Sequence, residues 1–188
     1  PEARGGVKSA VDFGQLKEPV LMVTNMIRAL SGVSDGHRLE GAVSNLGQRP
    51  YYSPTVFNYF PPDATIPGTM VLGPEFAIHT TQTAVNRTNL VYTLVYGGYG
   101  PDTTIPSATG TKLFLAQFEP LADNPAAMVS QINKVLAGGQ FPVAQEATIV
   151  TAVNAITLSA TPTAQQRMDR ARMAVYLMAS SYDYQVQR

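Results

Sequence analysis

Glu75 and His79 are the two residues whose types and spacing come closest to a reactive pair. They stand four positions apart in a segment with helical periodicity, so we expect their side chains on one helix face. A carboxylate beside an imidazole can orient the ring as a general base or as a metal ligand. A metal site needs three or four ligands, and no second histidine or aspartate clusters here, so we predict no metal. The alternative, which we favour, is a half-buried, hydrogen-bonded histidine near a helix start.

A second polar pattern follows in the same segment. His79, Gln82, Asn86 and Asn89 step by three, four and three residues, which places them on one stripe of a helix. The threonines and asparagines around them are modest helix formers, which indicates a helix that is buried on several sides. The stripe has three possible interpretations. It forms a polar cleft that binds a ligand, it forms a hydrogen-bond ladder between helices, or it is a face covered by another part of the chain. The candidate ligand-binding residues are therefore Glu75, His79, Gln82, Asn86 and Asn89.

The other features of the sequence mainly exclude classes of functional site. The 188 residues include no cysteine, which excludes a disulfide framework, a thiol nucleophile and cysteine-ligated metal sites. Thirteen basic and thirteen acidic residues cancel, which argues against a nucleic-acid partner. Ser53 and the pair Ser180-Ser181 have no histidine near them in the sequence, and no Gly-x-Ser-x-Gly elbow exists. We therefore predict no cofactor, and we assign no catalytic residue.

Helices must position these side chains, because helical periodicity governs most of the chain. Apolar residues spaced three or four apart predict helices over residues 16–30, 37–46, 74–95 and 142–156. Asn124-Pro125 signals the start of another helix, and Gly138-Gly139 its end. Thr161-Pro162 is predicted to cap the last helix, whose apolar stripe begins at Ala164. Only the stretch 112–118 could be a short extended segment.

Two stretches break this periodicity. Between Pro50 and Pro74 the chain carries six prolines, which exclude a long helix or a central strand. A second stretch, from Gly97 to Gly110, is predicted to be a mobile surface loop. The first stretch is rich in aromatic residues, unlike disordered linkers, so we predict an ordered loop whose rings pack against the helices. These rings are Tyr51, Tyr52, Phe57, Tyr59 and Phe60.

The expected fold class is mainly α: one irregular multi-helix domain, residues 1–188, with a long ordered Pro- and aromatic-rich loop and little or no sheet. No run of about 18 apolar residues exists, so we expect no membrane span. The helix beginning at Pro74 is apolar on more than one side. We therefore expect an apolar face around Val91, Leu94 and Val95, covered by the N-terminal part of a longer parent chain or by another protein chain.

Three blocks of the sequence resemble one protein family. They are residues 46–63 (LGQRPYYSPTVFNYFPPD), residues 72–76 (LGPEF) and the closing residues 170–188 (RARMAVYLMASSYDYQVQR). In these blocks the chain is similar to the C-terminal region of the bacterial "domain of unknown function 1800" family, and the closing block is the most specific. Many members have Gly-Trp where this chain has Asn58-Tyr59, and the chain has no tryptophan.

The resemblance implies a cellular location and does not imply a specific activity. Members often look exported and tend to be encoded beside relatives of exported sulfatases, which implies an extracytoplasmic location. They are also longer than this chain, and residues 1–6 (PEARGG) show neither an initiator methionine nor a signal pattern, so we expect a fragment or a processed product. The favoured function is a non-enzymatic interaction or assembly protein. The alternative is part of an enzyme whose active site lies mainly in the missing N-terminal region.

Overall fold

The computed structural model describes residues 14–187, and about 53% of them are helical, so the mainly α fold with little sheet is confirmed. Residues 1–6, which we interpreted as the start of a fragment, lie outside the described residues, as does the final residue of the closing block. The α-helices, in chain order, are α1 (Pro19–Ala29), α2 (His37–Ser44), α3 (Thr81–Tyr96), α4 (Pro125–Ala137), α5 (Val143–Asn154), α6 (Ala164–Ser180) and α7 (Tyr182–Gln185).

Two short antiparallel ribbons complete the described part of the chain. The strands are β1 (Gln15–Leu16), β2 (Val33–Ser34), β3 (Thr111–Lys112) and β4 (Val186–Gln187). In the first ribbon β1 pairs with β4, and in the second β2 pairs with β3. Residues 113–115 have no regular secondary structure, and a 3-10 helix follows at Ala116–Leu121, so the predicted extended stretch 112–118 is wrong from residue 116 onwards. The first ribbon joins the two ends of the described chain.

Most helix boundaries lie where the sequence signals them. Pro19 lies in the first turn of α1, where its missing amide hydrogen costs nothing. The Asn124 side chain accepts a hydrogen bond from the Ala127 amide at 3.2 Å and begins α4. Gly138 ends α4 in the left-handed conformation, with φ of 60°.

The start of α6 differs from the prediction by two residues. Its N-cap is Thr163, not Thr161, because Thr163 has a glutamine three positions later. The Gln166 amide donates to Thr163 Oγ1 at 3.2 Å, and the Thr163 amide donates to Gln166 Oε1 at 3.0 Å. This reciprocal pair is a capping box, which satisfies two of the amides that a helix start leaves free.

The helix predicted to begin at Pro74 is divided in two. Residues Pro74–Ile78 form a 3-10 helix, and α3 begins only at Thr81. Between them Thr80 adopts an extended conformation and forms a capping box with Thr83. Threonine favours this role because its hydroxyl bonds to nearby backbone amides. The prediction of one continuous helix is therefore wrong.

The core lies around α6, which packs against α3, α4, α5, α7 and the 3-10 helix Ala116–Leu121. The buried side of α6 carries three alanines, Ala171, Ala174 and Ala179, together with Val175 and Met178. Small side chains let neighbouring helices approach closely, and the longer side chains fill the space between them.

The apolar residues of α3 are covered within this chain. Val91, Leu94 and Val95 are all buried, because α3 packs along α6 and belongs to the central cluster. The prediction that these three residues form an exposed apolar face is therefore wrong. Tyr92 on the same helix is about half exposed.

Three of the five aromatic rings of the proline-rich loop do not pack against the helices, contrary to the prediction. Tyr51, Tyr52 and Phe57 are exposed, while Tyr59 and Phe60 are half-buried. Hydrogen bonds within the loop hold it: the Tyr59 hydroxyl donates to the carbonyl of Tyr52 at 2.7 Å and to that of Arg49 at 3.1 Å. The expected packing of the first three rings against the helices is therefore wrong.

Hydrogen bonds hold both ends of the second loop, between Gly97 and Gly110, and the predicted mobility of the loop stays a prediction. The Asp35 carboxylate accepts hydrogen bonds from the Thr109 and Gly110 amides, both at 2.6 Å. These bonds lower the pKa of Asp35. Tyr99 also pairs with Thr111 through two backbone hydrogen bonds, at 2.9 and 2.7 Å. Hydrogen bonds to Asp35, which follows β2, and to Thr111 on β3 thus hold this loop where the sequence offers no aromatic anchors.

Candidate functional site

The predicted pair of Glu75 and His79 is not formed. Glu75 lies in the 3-10 helix Pro74–Ile78, and its carboxylate accepts a hydrogen bond from the Gln15 side chain on β1. His79 lies just after that helix, where its ring meets the Phe76 ring edge-on at 5.8 Å. The two side chains separate because the chain leaves the helical conformation at His79, so four-residue spacing no longer places them on one face.

The predicted polar stripe is also divided. Gln82 Nε2 donates to Asn86 Oδ1 at 3.0 Å, and Asn86 Nδ2 donates to the carbonyl of Asn45 at 2.8 Å. Asn45 ends α2, so these bonds form a ladder between helices, which was one of the three interpretations. Asn86 and Asn89 line an open cavity of about 360 Å³, together with Ala42, Asn45, Leu90, Thr93 and Tyr99.

His79 faces a different cavity, which we call the His79 cavity. Its volume is about 230 Å³, and its walls are Leu16, Phe76, His79, Ala84, Thr88, Ser180, Tyr182 and Gln185. His79 Nδ1 and Ser180 Oγ are buried and have no hydrogen-bond partner among the described residues. The favoured picture of a hydrogen-bonded His79 is therefore wrong at Nδ1. Burial, and secondarily the positive charge of Arg87, lower the pKa of His79.

The fold thus brings together residues that are far apart in the sequence. Ser180 had no histidine near it in the sequence, yet it shares the cavity with His79 because the end of α6 lies beside α3. Within the described residues, no group of three or more histidine, aspartate or glutamate side chains could hold a metal ion.

Arg87 is a buried cation that the sequence analysis missed. It lies on α3, and its side chain is only 1% exposed. Its Nη1 donates to the carbonyl of Lys17 at 3.1 Å and contacts Met22 Sδ at 3.8 Å, while its Nε has no partner. No carboxylate within residues 14–187 forms an ion pair with it. Burial lowers the pKa of Arg87 to about 10.

Lys17 and Tyr184 form a second unusual contact beside the first ribbon. The Lys17 amide donates to the carbonyl of Gln185 at 2.8 Å, which places the Lys17 ammonium 3.7 Å from the centre of the Tyr184 ring. Burial lowers the pKa of Lys17 to about 8 and raises the pKa of Tyr184. The buried Tyr184 hydroxyl has no partner among the described residues. Both residues line a polar cavity of about 290 Å³.

The most exposed apolar side chains lie on the proline-rich loop. Tyr51, Val56 and Met70 are 102%, 95% and 96% exposed, respectively. We call residues 51–72 the exposed loop; its other large exposed apolar side chains are Tyr52, Phe57, Val71 and Leu72. The one charged residue between Pro50 and Gly73 is Asp63. The aromatic residues were visible in the sequence, but their direction was not.

Comparison with known proteins identifies a family. The family model described as "Protein of unknown function (DUF1800)" matches residues 1–186. No curated protein and no solved structure matches the chain. In the described part of the chain, every helix is too short or too polar to cross a membrane.

Proposed function

Since this chain belongs to the DUF1800 family of proteins of unknown function, its own surface has to indicate its role, and we propose that it is a non-enzymatic interaction or assembly protein. The observation that carries this proposal is the exposed loop. Scattered apolar residues are normal on a protein surface, but large contiguous apolar patches mark interaction sites. Seven large apolar side chains within 22 residues of one loop exceed ordinary scatter.

Tyr51 adds an independent argument. Its φ is 65°, in the left-handed region, which costs an L-residue roughly 1–2 kcal/mol. The strained residue gains no burial in return, because its side chain is fully exposed. Strained residues cluster where a protein binds. Contact with a partner would bury this ring and offset the strain.

The loop is also prepared for binding. The Ser53 hydroxyl donates to Asn58 Oδ1 at 2.9 Å, and the Tyr59 hydroxyl donates to two carbonyls of the same segment. Prolines restrict the backbone further. A loop that is held in one conformation loses little entropy when it binds, and this preorganisation raises affinity.

The partner we propose is a protein with an apolar surface. The exposed loop has no lysine or arginine and a single acidic residue, Asp63. Anionic lipids and nucleic acids attract basic residues, so neither matches this segment. Aromatic residues and methionine are enriched in protein interfaces, and both are present here. The partner is either the N-terminal part of a longer parent chain or another protein.

The proposed location is extracytoplasmic: periplasmic, at the cell surface or secreted. The resemblance to a family whose members often look exported supports it, and the absence of cysteine is compatible with it. Fractionation of the source cells tests this part of the proposal. The protein should separate from a cytoplasmic marker, and co-fractionation with that marker would contradict the location.

Site-specific photo-crosslinking tests the proposed contact. A photoreactive phenylalanine replaces Val56 in the exposed loop, and a matched control places it at Val143 on α5, which is also exposed. In source cells, position 56 should crosslink to one defined protein through an apolar peptide of that protein, and position 143 should not. Equal crosslinking from both positions, or transfer to lipid instead of protein, would contradict the proposal.

One observation favours a second candidate function, part of an enzyme completed by another region. His79 Nδ1 is buried and has no hydrogen-bond partner among the described residues. Buried polar atoms in folded proteins are normally hydrogen-bonded, and a catalytic role is one explanation of an exception. Native mass spectrometry of the purified protein distinguishes the two functions. A small molecule that co-purifies with the chain, and is lost in His79→Leu, favours the enzyme. Protein partners alone favour the interaction protein.

A further inference from the structure

We propose that Met70 is the preferred oxidation site of this chain, and that methionine sulfoxide at this position weakens the contact of the exposed loop with its protein partner. The inference rests on the proposed function, because it assigns a regulation to the same surface. Three observations support it: the exposure of Met70 compared with the other methionines, the apolar side chains beside it, and the backbone hydrogen bonds that hold its segment.

Met70 is the most accessible of the seven methionines of the chain. It is 96% exposed, whereas four others are fully buried in the core and two are half-buried on α6 against the central cluster. The chain has no cysteine, the other residue whose sulfur is easily oxidised. A dissolved oxidant therefore reaches the thioether of Met70 first. The fully buried methionines are Met22, Met26, Met128 and Met178, and the half-buried ones are Met168 and Met173.

The oxidant we assign to this step is a peroxide, such as hydrogen peroxide. The thioether sulfur of Met70 attacks one peroxide oxygen, so the O–O bond breaks and an S–O bond forms. The second oxygen leaves as hydroxide and takes the proton of the transferred oxygen, which gives water. The sulfur loses two electrons and the peroxide gains them. The product, methionine sulfoxide, carries a polar oxygen on a side chain that was apolar.

The polar oxygen would appear within an apolar part of the exposed loop. Val71 and Leu72 follow Met70 directly and are 60% and 62% exposed. When a partner with an apolar surface covers this segment, the sulfoxide oxygen loses its hydrogen bonds to water and gains none in exchange. The apolar contact of the methionine side chain is weakened as well. Oxidation of Met70 therefore lowers the affinity of the loop for such a partner.

Hydrogen bonds hold the backbone around Met70 without the help of its side chain. The Ile66 amide donates to the carbonyl of Val71 at 2.8 Å, and the Thr69 amide donates to the carbonyl of Ile66 at 3.0 Å. The Val71 amide donates to Thr69 Oγ1 at 3.2 Å. Since none of these bonds involves the Met70 thioether, oxidation should change the contact surface and leave the fold intact. Methionine sulfoxide reductases can then reverse the change.

Peptide mapping by mass spectrometry tests the oxidation site on the chain alone. The folded chain is treated with rising doses of hydrogen peroxide, quenched and digested. At a dose that oxidises about half of Met70, each other methionine should be oxidised by no more than about a tenth. The chain unfolded in urea is the control and should lose this selectivity. Equal oxidation of Met70 and of Met168 or Met173 in the folded chain would overturn the proposal.

Calorimetry with the crosslinked partner tests the effect on binding. The chain is oxidised alone and freed of peroxide before the titration, and its circular dichroism should be unchanged. Oxidation should weaken binding by at least about tenfold, the effect of losing one buried apolar side chain. Reduction by methionine sulfoxide reductases should restore the affinity, which oxidation at a site that they cannot repair would not allow.

Two variants assign the effect to Met70. Met70→Leu keeps an apolar side chain without an oxidisable sulfur, so it should bind like the unmodified chain before and after peroxide treatment. Met70→Gln is polar and of similar length, so it should bind as weakly as the oxidised chain. An equal loss of affinity in peroxide-treated Met70→Leu would overturn the proposal.

The failure of this inference can be distinguished from the failure of the proposed function. If the untreated chain binds no protein through the exposed loop, the proposed function is contradicted, and this inference with it. If the untreated chain binds its partner and the chain oxidised at Met70 binds equally well, the proposed function stands and only this inference is contradicted.

Discussion

Replacing Arg87 by methionine tests whether this buried guanidinium lacks a compensating charge. A buried arginine is commonly one half of an ion pair, and removing one partner of such a pair costs about 3–5 kcal/mol. In this protein Arg87 has no carboxylate partner among residues 14–187, and its Nε has no hydrogen bond there. Methionine has a similar length and would lie against Met22. We therefore expect that Arg87→Met does not destabilise the protein by this amount.

The expected magnitude follows from two opposing effects. Burial lowers the pKa of Arg87 to about 10, and a change of that size corresponds to a cost of about 3 kcal/mol for the charged form. Methionine removes this cost. It also removes the hydrogen bond to the Lys17 carbonyl, whose loss costs about 1.5–3 kcal/mol. The free energy of unfolding should therefore stay the same or rise by up to about 2 kcal/mol.

Urea unfolding at pH 7 measures the change, with Arg170→Met as a matched control. Arg170 is also buried, but it donates to the carbonyls of Ile156 and Ala122 at 2.8 and 2.9 Å. Its loss leaves two acceptors without their partner and should destabilise the protein by about 2–4 kcal/mol. Because the lowered pKa of Arg87 still lies well above neutral pH, the Arg87→Met effect should be equal at pH 6 and pH 8. A loss of about 2 kcal/mol or more in Arg87→Met would refute the reasoning.

Three further predictions follow from local structure. Thr80→Ala removes the capping box that begins α3 and should lower the free energy of unfolding by about 1 kcal/mol in urea. Gly98→Ala should cost more than about 2 kcal/mol in the same assay, because φ is 73° and the new Cβ would clash with the Thr111 carbonyl oxygen. The control Gly100→Ala, whose new Cβ has nothing within 4 Å, should be nearly neutral. His79 has a lowered pKa in the folded chain, so the unfolded chain binds its proton more tightly, and stability should fall as the pH drops below about 6.5. His79→Gln should lose that part of the pH dependence, and an unchanged profile would contradict the assignment.

The sequence predicted the helices well where local signals agree with the packing. Pro19, Asn124 and Gly138 act within one turn of the chain, and each begins or ends a helix as expected. The break before α3 was missed because apolar periodicity runs through His79 and Thr80. The capping box of Thr80 decides the boundary there, and its signal is two threonines, not the usual threonine and glutamate.

The candidate site was harder to predict, because long-range contacts build it. Ser180 and His79 are far apart in the chain and line one cavity because α6 packs on α3. Arg87 lies among polar residues in the sequence, and nothing in that pattern shows that its side chain is buried and bonded to the Lys17 carbonyl. The direction of a ring such as Tyr51 depends on the loop backbone, which proline and aromatic content do not specify.

The central claim is that the exposed loop binds another protein, and an affinity measurement tests it most directly. The triple variant Tyr51→Asn, Val56→Ser, Met70→Ser removes three of the most exposed apolar side chains, so the fold should remain stable. Asparagine at position 51 tolerates the left-handed backbone. With the crosslinked partner purified, calorimetry should show at least a hundredfold loss of affinity, since each buried side chain contributes about 1.5–3 kcal/mol. The control Val143→Ser should bind normally. Equal affinity of the triple variant and the unmodified chain would contradict the claim.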